Sequence, residues 1–206
     1  MPAMARECAL NLALFDFDGT ITHTEMFRPF IEFAVPPRRR ALGAALLAPM
    51  VLGYKLGIVS PNLMRGSAVR AGLAGVPVSQ VDALGQRFAH EVLPGVLRDN
   101  ALERIRWHKA QGDRVVVVSG GLDVYLSHWC RQHELELICS ELESRQGRLT
   151  GGYRGAQCVN AEKPRRVKAK VNVEAYPVVY AYGDTKEDMD LLQLAHRRYY
   201  RWQEMA

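Results

Sequence analysis

Three short apolar runs each stop at polar residues, and helical stretches separate them. Residues 9–15 (ALNLALF) run into Asp16 and Asp18, residues 114–118 (RVVVV) into Ser119-Gly120-Gly121, and residues 177–182 (PVVYAY) into Gly183-Asp184, with Asp188 close behind. A weaker run lies at 135–139. Continuous apolar runs of this length suit strands buried on both faces. Helical patterns cover 95–111, 122–133, 163–171 and 186–196. The alternation predicts an α/β fold with a parallel sheet and helices on both of its faces.

The first crossover is far longer than such a sheet needs. Roughly ninety residues separate Thr22 from Asp113, where about a dozen suffice. Helical patterns at 25–34, 39–55, 61–73 and 79–92 fill this stretch, broken at Pro36-Pro37, Ser60-Pro61 and 75–77. It reads as a helical insertion over the carboxyl edge of the sheet, where sites in open α/β sheets lie. The domain boundaries follow: residues 1–20 and 95–206 form the core, and residues 21–94 form a helical cap. Within 141–153, ELESRQGRLTGGY carries a Gln-Gly turn between alternating runs and predicts a β-hairpin.

A chain of 206 residues supports one good core with a small inserted domain. Its net charge of +5 favours anionic substrates or surfaces. Lysine and arginine are scattered, and Arg38-Arg39-Arg40 is too short a run for a nucleic-acid tail, so no nucleic-acid partner is expected. Cysteines 8, 130, 139 and 158 form no CxxC pair and no metal-ligand spacing with histidine, which reads as reduced thiols in a cytoplasmic protein. Residues 1–9 carry no apolar run of signal-peptide length.

Residues 41–59, ALGAALLAPMVLGYKLGIV, approach the ~20 apolar residues of a membrane span. Pro49, Lys55 and three glycines interrupt them. They read as helices of a small helical domain. The sharper alternative is a peripheral membrane contact through 38–59 at the inner membrane face, with Arg38–Arg40 on anionic headgroups.

In a parallel sheet the polar strand ends converge on one rim. Period two puts Asp16 and Asp18 on the same side, ~6.5–7 Å apart along the chain. Adding Asp184 gathers negative charge that calls for a cation, and oxygen-only ligands favour Mg²⁺ over zinc. One aspartate can attack phosphorus while its neighbour protonates the leaving oxygen, through an aspartyl-phosphate. Ser119 and the backbone N–H groups after it, at a helix start, can hold phosphate oxygens. Lys163, opening a helix, can complete the charge balance. Taken singly, Ser119 also suits a helix cap, Thr185 with Asp188 fits a capping box, and Lys163 suits a solvated surface.

DFDGT at 16–20, VVSGG at 117–121, Lys163 in CVNAEKPRR and GDTKED at 183–188 resemble, in order and spacing, the four motifs of the haloacid dehalogenase-like superfamily, in particular its phosphoserine-phosphatase-like subclass IB. The resemblance covers nearly the whole chain. It implies a Rossmann-like core with an inserted helical cap, and a Mg²⁺-dependent phosphoric monoester hydrolase. Asp16 would be the nucleophile and Asp18 the general acid, later the base. Mg²⁺ would be held by the Asp16 and Asp184 carboxylates and the Asp18 carbonyl, with Asp188 supporting its waters. Ser119, Lys163 and the Gly120 N–H would bind phosphate.

The resemblance also makes phosphoserine a candidate substrate, with Glu25 receiving its amino group. GDTKED departs from the GDGAND usual in phosphoserine phosphatases, replacing an Asn by Glu187, and neither Arg65 nor Arg70 aligns with their cap arginine. A lipid phosphate of the phosphatidylglycerophosphate type would explain 41–59. The partner is therefore a small phosphorylated metabolite or a phospholipid headgroup. A phosphotransferase, or a module that binds phosphate or membrane without turnover, are the other readings. The oligomeric state is not legible.

Overall fold

The computed structural model describes residues 10–205. β1 (Leu12–Phe15) is followed by four helices, α1 (Phe27–Ala34), α2 (Pro37–Lys55), α3 (Pro61–Leu73) and α4 (Val78–Glu91). Then come α5 (Asp99–Ala110), β2 (Arg114–Leu122), α6 (Asp123–Gln132) and β3 (Glu136–Ser140). A hairpin of β4 (Leu142–Arg145) and β5 (Arg148–Tyr153) leads to α7 (Glu162–Lys170) and β6 (Val179–Gly183). The chain closes with α8 (Met189–Leu192), β7 (Arg197–Tyr200) and β8 (Gln203–Glu204).

The main sheet has the order β3-β2-β1-β6-β7-β8, parallel except for β8. β1 is central, and its four residues are all buried. Ala13 and Phe15 face a core shared with Phe30, Phe88, Tyr125 and Trp129, whereas Leu12 and Leu14 face Val167 and Leu191. Both sides are dry, which is why the run is apolar throughout rather than alternating.

The register sets the site. Phe15 pairs with Val117 on one side and with Tyr182 on the other, and the Asp16 N–H donates to Tyr182 O at 2.9 Å. The residues after β1 and β6 therefore emerge side by side. Successive strands are added to one side of β1 (β2, β3) and then to the other (β6, β7), and such switch points open a crevice at the carboxyl ends of the strands.

The helical insertion is stapled at its base. Thr22 bridges Leu97, and the Arg98 side chain donates to Gly19 O and Thr22 O. Its far end is tied to the hairpin by the Pro77–Arg148 bridge. Gln146 and Gly147, at φ 51° and 74°, turn the hairpin as its Gln-Gly pair predicts.

Two expectations are corrected. The helix over 186–196 is instead a 3-10 turn at Lys186–Asp188 and the single turn α8, after which the chain enters β7. Without β7 and β8, β6 would be an open edge. The second correction concerns Ser119-Gly120-Gly121, which lie inside β2 at a register shift, with α6 starting only at Asp123. Cys130, Cys139 and Cys158 are buried free thiols; Cys8 and the start of the first apolar run lie outside the described residues.

Candidate active site

DFDGT leaves β1 in a tight turn. Gly19 adopts φ +81°, and a Cβ there would stand 2.2 Å from Asp184 Oδ2, so only glycine lets the two strand ends approach this closely. Thr20 Oγ1 donates to Asp184 Oδ1 at 3.2 Å. Asp18 Oδ1 accepts from the Met26 N–H at 2.8 Å, which ties its carboxylate to the start of α1.

Asp16, Asp184 and Asp188 each bring a carboxylate oxygen to within 4.8 Å of the others. Lys163, from the first turn of α7, is buried among them and donates to Asp16 Oδ1 at 2.5 Å and Asp188 Oδ1 at 2.6 Å. Asp188 Oδ2 accepts from the Thr185 N–H and hydroxyl, at 3.0 and 2.9 Å, and from the Asp184 N–H at 3.2 Å. The capping box is thus real, but the other oxygen of the same carboxylate reaches Lys163.

Burial pushes the Asp16 carboxyl well above the usual carboxylate range, against the pull of Lys163. Burial likewise lifts Asp18 to about 6, opposed by the Met26 N–H. Asp188 moves the other way, since Lys163 and the Thr185 donors outweigh its burial. Burial acts to discharge Lys163, yet Asp16 and Asp188 hold it above its ordinary value, so it stays a cation. One ammonium among three carboxylates leaves negative charge uncompensated. The donors are all oxygen, a set that fits a hard divalent cation such as Mg²⁺.

A cavity of about 680 Å³ opens over this cluster. Asp16, Asp18, Gly120, Lys163, Asp184 and Asp188 line its floor, and Glu25 lines its wall. Ser119 is fully buried beneath, its Oγ accepting from the Gly121 N–H at 2.9 Å. Seven of the eight expected site residues thus face one cavity, with Ser119 directly behind Gly120.

Sequence reasoning assigned no role to Arg65 of α3. Its Nη2 donates to Glu25 Oε1 at 2.7 Å, and its Nη1 lies 3.9 Å from Glu187 Oε2, so one guanidinium spans from the insertion to the core. No motif contains it; only the folding of α3 over the sheet brings it there. Thr20 was within reach, as the hydroxyl two residues after Asp18.

A family model for haloacid dehalogenase-like hydrolase matches residues 13–193. Protein CicA of Caulobacter vibrioides is 30% identical over 196 residues, covering 92% of this chain and 85% of that protein. The fold is similar to a crystal structure of a protein with unknown function from Bordetella pertussis Tohama I, with a TM-score of 0.77, 21% identity, and 93% and 90% of the two chains covered. It is also similar to a substrate-bound phosphoserine phosphatase, with a TM-score of 0.66, 21% identity, and 94% and 87% covered.

Proposed function

The chain belongs to the haloacid dehalogenase-like hydrolases, and we propose that it is a Mg²⁺-dependent phosphomonoesterase acting through an aspartyl-phosphate on Asp16. One observation carries this reading: at the floor of a cavity Asp16 and Asp188 share a single buried lysine, and Asp184 brings a third carboxylate beside them. A purely structural cluster would have no reason to face a cavity.

In the first half-reaction an Asp16 carboxylate oxygen bonds to phosphorus as the ester P–O bond breaks, and Asp18 gives its proton to the departing alcohol oxygen. In the second, Asp18 takes a proton from water, the water oxygen bonds to phosphorus, and the Asp16–phosphorus bond breaks to release phosphate. Lys163 offsets charge between Asp16 and the phosphate, and Gly120 leaves backbone room beside it. Asp16 and Asp184 would hold Mg²⁺, with the Asp18 carbonyl and with Asp188 behind, and the ion would supply charge stabilisation to the phosphoryl oxygens. Residues 21–94 serve as a cap that closes the cavity and excludes water.

The substrate is a small phosphorylated metabolite of the phosphoserine kind. Glu25 and Arg65 stand where its leaving group would lie, offering one carboxylate and one guanidinium. A lipid phosphate is the second reading, favoured by the apolar cavity wall of Phe27, Ile31, Tyr54, Met64 and Ala68.

The test is hydrolysis of p-nitrophenyl phosphate with Mg²⁺. Activity is expected, and both EDTA and Asp16→Asn abolish it; no turnover by wild type across several pH values favours a binding module instead. Retention of more than about a few per cent of the rate by Asp16→Asn removes Asp16 as nucleophile. A screen that includes phosphoserine and phosphatidylglycerophosphate separates the two substrate readings, and product analysis with added alcohols separates hydrolysis from phosphoryl transfer.

A further inference from the structure

α2 packs poorly for so apolar a helix. Of its nineteen residues only Gly43 is buried, with Ala71 Cβ 3.4 Å from where a Gly43 side chain would start. Among the described residues, eight of the eleven exposed large hydrophobics fall within 42–63. Leu42, Leu46 and Leu52 stand exposed along α2, and Leu56, Ile58 and Leu63 stand exposed through the turn into α3. Surfaces of this kind mark an interaction site.

Charge identifies the partner. Residues 33–81 contain no aspartate or glutamate, and apart from Arg65, which pairs with Glu25, they carry Arg38, Arg39, Arg40, Lys55 and Arg70. Arg39 donates to Ala71 O and Ala74 O at the end of α3, and Arg40 donates to Glu32 O of α1, but Arg38 stands in the first turn of α2, where the helix dipole disfavours a cation, so helix stability does not account for it. A second copy docking on this face would set basic residues against basic residues with no acid in the segment to pair them. An anionic phospholipid surface supplies both an apolar interior and negative headgroups.

We infer that α2 and the turn into α3 form a peripheral docking face for an anionic bilayer. α2 is about 28 Å long at 1.5 Å per residue, and no described helix is long and apolar enough to cross a membrane. The helix therefore lies along the interface, its leucines in the acyl boundary and Arg38 and Lys55 at headgroup level. Tyr54 of α2 and Pro61 and Met64 of α3 also line the cavity, so the docked face sits beside its mouth. This holds whichever leaving group the cavity takes, and it goes beyond the phosphatase reading.

The test is co-sedimentation of the full chain with vesicles of phosphatidylcholine alone or with about one third phosphatidylglycerol. The bound fraction is expected to rise roughly tenfold or more with the anionic lipid and to collapse in ~1 M salt. A Leu46→Asp/Leu52→Asp variant and an Arg38→Ser/Lys55→Ser variant both lose binding while keeping wild-type hydrolysis of p-nitrophenyl phosphate, which shows that they fold. Absence of wild-type binding, or undiminished binding by the Leu46→Asp/Leu52→Asp variant, overturns the proposal. So does a concentration-dependent dimer in light scattering that the same variant breaks. Wild type that binds anionic vesicles but hydrolyses nothing sinks the phosphatase reading and leaves this one standing.

Discussion

Lys163 and Asp16 lie 147 positions apart in the chain, and their charged ends meet at 2.5 Å in the floor of the cavity, both buried. Asp188 shares the same ammonium from its other side. Removing one partner of a buried ion pair leaves an uncompensated charge, a larger loss than the pair's own net contribution.

Lys163→Ala is therefore expected to lower turnover of p-nitrophenyl phosphate by about two to three orders of magnitude. Without divalent metal it also costs about 3–5 kcal/mol of stability, since Asp16 and Asp188 then face each other without their cation. Lys163→Arg does not restore the rate, because a planar guanidinium cannot replace a point charge held between two oxygens. Steady-state kinetics and urea melts read both effects, and a near-wild-type rate for Lys163→Ala removes the residue from the phosphate site.

Gly85 of α4 packs against the first turn of α6, and a Cβ there would stand 1.8 Å from Val124 O. That atom is backbone and cannot swing aside. Gly85→Ala must push α4 off α6 and is expected to destabilise by roughly 1–3 kcal/mol or more. At about 2–4 °C per kcal/mol for a chain of this size, calorimetry would show a fall of several degrees. An unchanged melting temperature would mean that the two helices pack less closely than described.

The sequence carried the centre of the sheet and most of the site because each depends on local pattern. β1 is a dry strand and looks like one, and Asp16, Asp18 and Asp184 follow their strands at once, so finding the strand finds the residue. Asp188 was readable as a cap and as a candidate site residue, and its two oxygens reach Lys163 and the Thr185 hydroxyl. The sheet's far edge was not readable. Arg197-Arg198-Tyr199-Tyr200 has one buried side chain, Tyr199, and the preceding Leu191, Leu192 and Leu194 extend a helical pattern that the chain abandons after one turn. Arg65 was opaque for another reason: its partners, Glu25 and Glu187, come from distant segments that only the folded insertion brings to it.

Asp123, at the start of α6, has its carboxyl pushed up to about 6 by burial, although Oδ1 accepts from the Leu142 N–H at 3.1 Å. A carboxyl raised on folding favours the folded state below its unfolded value near 4 and gives up that contribution as pH rises through about 6. Asp123→Asn keeps the acceptor and cannot ionise. Wild type and variant should match near pH 4, and the variant should be more stable above pH 6 by roughly 1–3 kcal/mol. Urea midpoints at the two pH values decide it. A variant less stable than wild type at pH 8 would show that the ionised carboxylate is stabilising there.

His108 of α5 is fully buried on the sheet face opposite α7 and α8, away from the acidic cluster. Its Nδ1 lies 2.7 Å from Asp113 Oδ2 and its Nε2 lies 2.9 Å from the Tyr182 hydroxyl. A carboxylate can only accept, so the neutral ring donates from Nδ1 and accepts from Tyr182 at Nε2. Burial lowers the His108 pKa below its ordinary value despite the pull of Asp113. A histidine lowered on folding contributes stability in full above its unfolded value near 6.5 and loses it as pH falls towards the folded value, because the unfolded chain then binds the extra proton. His108→Phe fills the space but leaves Asp113 Oδ2 and the Tyr182 hydroxyl without this partner, at a cost of about 2–4 kcal/mol at pH 8. The phenyl ring does not titrate, so the stability gap between wild type and variant should narrow as pH is lowered from 7 to 5. Parallel stability curves over that range would mean that His108 protonates as readily inside the fold as outside it.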